Sequence, residues 1–103
     1  MIPDSSAIVE TIHESIKLSN TSYQVKGIEV YAGIYNYAFK GFALDTLQDF
    51  STKQFFEANE FNADSFSTVL TNLLYAKTYY YRSAYISDYD TVYGQIKTFT
   101  TVD

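Results

Sequence analysis

Residue types able to do chemistry are scarce in this chain, and their scarcity narrows what it can do. There is one histidine, His13, and no cysteine. A Ser-His-Asp arrangement would have to run through His13, on a segment that reads as the first strand, where a solvated or edge histidine is the ordinary outcome. A multi-histidine metal centre within one chain is excluded. Without thiols there is neither thiolate chemistry nor a disulfide. Twelve acidic residues remain. Glycoside cleavage needs two carboxyl groups at a working separation, but the acids fall mostly in turn-like stretches and no spacing pairs two of them. Asp88 and Asp90 share one turn with Ser87 and offer oxygens of the kind calcium takes, as do Asp45 and Asp49. Such side chains in turns more often bond their own backbone. The expectation is a protein that is not an enzyme and uses no metal ligands and no cofactor.

Aromatic residues are the opposite case. Eleven Tyr and eight Phe stand in 103 residues, with no Trp. Rings of this kind fit a pleated, half-buried surface, and there are more of them than one small core absorbs. The seven basic residues are scattered and the formal net charge is −5. A clustered basic footprint is missing, so nucleic acid is not an expected partner. No apolar run is long enough to insert in a membrane. The start, Met1-Ile2-Pro3-Asp4-Ser5-Ser6, has neither a basic nor an apolar region of signal-peptide type. The length suits one domain, 1–103.

These residues must be positioned by strands, because the dominant periodicity is two. Ile8 to Ile12 reads as a first strand, although Ile8, Ile12 and Ile16 also recur at helical spacing; their β-branching favours the strand. Asn20-Thr21-Ser22 is a turn. Tyr23 to Val30 is a second strand, with Gly27 marking a bulge or the close approach of another backbone. Ala32 to Asn36 is a loop and Tyr37 to Leu44 a third strand. From Asp45 to Asp64, Phe55-Phe56 marks a short strand and Asn59 to Asp64 a loop, with a helix through Leu47, Phe50 and Gln54 as the rival. Ser65 to Leu70, Lys77 to Ile86 and Thr91 to Thr101 complete seven strands, with Ser87 to Asp90 a turn. Seven strands with turns between them match an all-β, seven-stranded immunoglobulin-like sandwich.

The chain also resembles a family. The stretches Ser65 to Leu73, Lys77-Thr78-Tyr79-Tyr80-Tyr81-Arg82-Ser83-Ala84-Tyr85, and Val92-Tyr93-Gly94 through Phe99-Thr100-Thr101 are similar to the C-terminal half of fibronectin type III-like modules. The modules concerned are those of Bacteroidota surface proteins and their phages. Val25-Lys26-Gly27 and Lys40-Gly41-Phe42 look like that family's second and third strands. Tyr75-Ala76 stands where the family usually has Pro-Gly, and Asp88-Tyr89-Asp90 replaces its usual turn glycine. The resemblance implies that Tyr79 occupies the tyrosine-corner position, its ring inward and its hydroxyl bonded to backbone upstream. Tyr79, Tyr81 and Ser83 then face inward and Tyr80, Arg82 and Ala84 outward. Putting Tyr80 at the corner instead would aim Arg82 at the core, where an unpaired charge is costly.

In such a sandwich the loops after the second and sixth strands meet at one end, which would carry Tyr31, Tyr35, Tyr37 and Tyr89. Tyrosine-rich ends make good contact surfaces, and these four residues are the candidate binding surface. The expected function is structural or binding. The first setting is a virion, as a capsid decoration or auxiliary protein whose partner is a capsid or other virion protein, since lysis would release it without a signal peptide. The alternative is an adhesion, glycan-binding or spacer module excised from an exported cell-surface protein, with a protein or surface glycan as partner.

Overall fold

Alternation along each segment decides which residues meet. In the computed structural model, which describes residues 8–12, 15–31, 37–62, 64–87 and 91–101 (the backbone alone at 31, 37 and 38), ten strand segments form. They are β1 (Ile8–Thr11), β2 (Ile16–Ser19), β3 (Ser22–Tyr31), β4 (Tyr37–Asp45), β5 (Gln54–Glu57), β6 (Glu60–Asn62), β7 (Ser65–Leu70), β8 (Thr78–Ser87), β9 (Thr91–Tyr93) and β10 (Lys97–Thr100). No helix is present among the described residues.

All pairings are antiparallel, in two sheets. The first runs β1-β3-β7-β6, with β2 also on β3, and the second runs β10-β8-β4-β5, with β9 also on β8. β1 and β2 border different lengths of β3 and act as one interrupted edge; β9 and β10 do the same along β8. The chain is therefore an all-β sandwich of two antiparallel sheets.

The core lies between the sheets. Val9, Tyr23, Val25, Phe66 and Leu70 come from the first, and Phe42, Leu44, Tyr79, Tyr81, Tyr85 and Phe99 from the second. Full burial of one such side chain contributes roughly 1.5–3 kcal/mol. The rings are arranged, not merely packed: Phe99 stacks on Tyr23 at 4.3 Å and on Tyr79 at 5.5 Å. Gly27 is where the ring of Phe66 closes in, since a Cβ there would stand 2.7 Å from Phe66 Cζ. The close approach expected at this glycine is thus made by a side chain, not by another backbone.

Several expectations need correction. Residues 16–19 form a strand that the sequence did not mark, because it is exposed along its length and lacks a buried face to imprint a pattern. Part of the expected loop 59–64 is β6, a polar edge strand held by main-chain pairing to β7. The last strand is broken at Gly94-Gln95-Ile96. Ala84 shares the outward face with Tyr80 and Arg82 by alternation, yet it is fully buried there, in a row of small residues, Gly41 and Ala84, beside Tyr93.

The stretch 46–53 holds turns, not the rival helix, and Asp45 organises it. Its Oδ1 accepts from Leu47 N–H at 3.1 Å and from the Thr52 hydroxyl at 2.7 Å, while Oδ2 accepts from Thr52 N–H at 2.8 Å. Burial alone would push the Asp45 carboxyl up, but these donors outweigh it and hold it below the ordinary value. Asp49 likewise accepts from Ser51 N–H at 3.0 Å. Both acids are engaged with their own loop.

Candidate functional site

The outward residues of the first sheet gather six polar residues into one groove of about 400 Å³. Tyr23 and Val25 face the core, so Gln24 and Lys26 of β3 must face solvent. Register then decides their neighbours. Lys26 pairs with Ser67 and Ser67 with Glu60, so an ammonium, a hydroxyl and a carboxylate lie in one row across three strands. Ser65 and Asn62 form the next row. Gln24 Nε2 donates to Glu60 Oε1 at 3.4 Å, and the Ser65 hydroxyl donates to the Asn62 carbonyl at 2.8 Å.

This groove offers donors and acceptors in alternation on rigid strands. Among its lining residues Glu60 is the carboxylate and Lys26 the ammonium, with Ser67 in register between them. Such a set of groups can donate to and accept from hydroxyl or amide groups. Phe61, 56% exposed, borders it, and its ring reaches to the other side of β6, 5.5 Å from Lys40 Nζ. Lys40 is part of a link between the sheets: its Nζ donates to Glu29 Oε1 at 2.7 Å and lies over the Phe66 and Tyr85 rings as well. That ion pair joins β3 to β4, and Lys40 meets β6 through the Phe61 ring.

The residues expected from sequence fall elsewhere. Tyr31 ends β3 and Tyr37 begins β4, which places their backbones at the same end of the two sheets. Tyr35 and Tyr89 lie outside the described residues, as do His13, Asp88 and Asp90. Tyr79 is buried, and its hydroxyl accepts from the backbone N–H of Leu74, five residues upstream, at 2.8 Å. The groove residues escaped sequence reasoning because β6 was read as loop. A faint signal was present: Gln24-x-Lys26 and Ser65-x-Ser67 put polar residues at successive outward positions of two neighbouring strands.

No protein-family model matches the chain, and no curated protein matches it. Solved structures do. The sensor domain of the anti-sigma factor RsgI4 of Pseudobacteroides cellulosolvens superposes with a TM-score of 0.67 at 13% identity, over 93% of this chain and 94% of that one. A myokine structure gives 0.58 at 16% identity, over 91% and 97%. The carbohydrate-binding module BhCBM56 gives 0.56 at 10% identity, over 94% and 98%. At these identities the likeness is one of fold, the β-sandwich.

Proposed function

We propose that this chain is a non-catalytic binding module whose groove on the first sheet holds a hydroxyl-rich glycan. The observation that carries the reading is the row Lys26-Ser67-Glu60 flanked by Gln24 and Asn62: fixed donors and acceptors in a concave, solvent-open site. The fold likeness to a sensor domain and a carbohydrate-binding module supports it, since both are binding domains. We further read the sandwich as immunoglobulin-like, of the fibronectin type III kind. With each interrupted edge counted as one strand, the sheets hold four strands each, eight in place of the expected seven; the antiparallel two-sheet order still supports this, and so does Tyr79 with its hydroxyl on upstream backbone.

The test is a panel of neutral oligosaccharides against the protein, with calorimetry on those captured. Glu60→Ala and Asn62→Ala are expected to weaken binding by roughly tenfold each, about 1.4 kcal/mol, with the urea midpoint unchanged because both side chains are exposed. Full binding in both variants would remove the ligand from the groove. If the double variant Tyr35→Ala/Tyr89→Ala then loses it, the loop end with Tyr31 and Tyr37 is the contact surface. As to setting, we propose the surface of a virus particle, with an exported bacterial surface protein as the alternative. Peptide mapping of purified particles and of host surface fractions separates the two.

A further inference from the structure

The solvent face of the second sheet holds a cation in a ring clamp. Arg82 lies mid-strand in β8, with its side chain on the face away from Tyr81 and Ser83. Its guanidinium carbon is 4.5 Å from the centre of the Phe50 ring and 3.8 Å from that of Tyr93. Phe50 comes from the loop that Asp45 organises. Its left-handed backbone, φ 57°, turns the ring back onto the sheet, where it is 2% exposed. A non-glycine residue in that conformation persists only where its surroundings hold it there. Beneath the guanidinium, the cross-strand partner Ala43 is small and fully buried, which leaves the clamp room.

Two rings engage the flat faces of a guanidinium, but its N–H groups point along its plane. Arg82 Nε is buried without a hydrogen-bond partner, and no described carboxylate pairs with Arg82. The terminal nitrogens have no partner among the described residues either, and they reach solvent. A fixed, partly desolvated fork of donors without acceptors matches a carboxylate arriving end-on through two parallel bonds. A fork of this kind accepts carboxylate or phosphate, and in a chain of net charge −5 the singly charged carboxylate is the better match. Tyr80 and its cross-strand partner Thr98 lie one row away, and with the Tyr93 phenol they supply hydroxyls unpaired among the described residues. That combination, a fork ringed by hydroxyls and an aromatic face, suits a sugar acid. One cation in a chain of net charge −5 suits an isolated acid group, because a polyanion would be repelled.

We propose that Arg82, clamped by Phe50 and Tyr93, binds the carboxylate of a uronic acid on the face opposite the groove; the sugar as its carrier rests on the glycan reading above, the carboxylate does not. The experiment titrates methyl glucuronide, methyl glucoside and acetate into nitrogen-labelled protein by NMR. Glucuronide is expected to shift the Arg82 Nε–H and the Tyr93 amide, and to saturate at least roughly tenfold more tightly than either other probe. Arg82→Lys keeps the charge but loses the fork, and should weaken glucuronide by about tenfold with the remaining spectrum intact. If that variant does not fold, Tyr93→Leu opens the clamp with Arg82 in place and should show the same weakening. Binding undiminished in the folded variant overturns the proposal. Acetate as tight as glucuronide overturns the sugar acid in favour of a carboxylate on a protein partner. Silence towards glucuronide while neutral glycans still bind through Glu60 overturns this inference and leaves the groove reading standing.

Discussion

Single hydroxyls hold the ends of this core. Tyr79 Oη accepts from Leu74 N–H, so Tyr79→Phe leaves a part-buried donor without an acceptor and should cost about 1–3 kcal/mol. Tyr80 makes no such bond among the described residues, and Tyr80→Phe should change the urea midpoint by much less. A larger loss at Tyr80 would contradict the register of β8. Tyr81 behaves differently. It is fully buried and its phenol donates to the Ile12 carbonyl at 3.0 Å. Burial pushes its pKa from 10.0 up to about 12, against the opposing pull of a Ser15 hydrogen bond. The unfolded chain therefore releases this proton near pH 10 and the folded chain near pH 12. Stability from this group is complete below pH 10 and is lost as pH rises from 10 towards 12. The urea midpoint should fall across that window, and Tyr81→Phe should flatten part of the fall.

At the scale of elements, the break in the last strand is a designed junction. Thr11 of β1 crosses from the first sheet to the second: its hydroxyl accepts from Ser83 N–H at 2.8 Å and shares a hydrogen with the Ser83 hydroxyl at 3.1 Å. Gln95 Oε1 accepts from Thr11 N–H at 3.1 Å. Gly94 sits in this crossing, where a Cβ would come 2.2 Å from Ser83 Oγ and 2.7 Å from Thr11 Oγ1. Gly94→Ala should destabilise by roughly 2 kcal/mol or more. Ser83→Ala removes the nearest obstacle, so the double variant should lose less than the two single losses added. Strict additivity in urea midpoints would show that the crossing is looser than described. These elements also show what the sequence could carry. Strands with a buried face, β3, β7 and β8, were legible because alternation records burial. β2 and β6 were not, since main-chain pairing to a neighbour leaves no trace in side chains that stay exposed. The groove was hidden with β6, and the Arg82 clamp was hidden because Phe50 reaches it from a loop whose shape depends on Asp45 and Thr52.

Across the whole molecule, both sheets contribute to one cluster of rings, and the Glu29-Lys40 pair and the Thr11 crossing tie them at separate places. Neither sheet keeps its core face covered without the other. Unfolding should therefore be a single cooperative transition, with circular dichroism and tyrosine fluorescence giving coincident curves. Circular dichroism should show strand and almost no helix, and a helix content above about 20% would contradict the assignment. Two separated transitions would mean that the sheets are independent. Because the groove and the Arg82 clamp stand on the outer faces of these two sheets, both sites should disappear at the same denaturant concentration.

The crossing at Gly94 also has an evolutionary consequence. Three positions far apart in the chain share one small volume, in which the hydrogen at residue 94 is there because hydroxyls stand at residues 11 and 83. In a lineage of related sequences these three sites should drift as a set: a larger residue at 94 should be found only where 83, and commonly 11, has shed its hydroxyl.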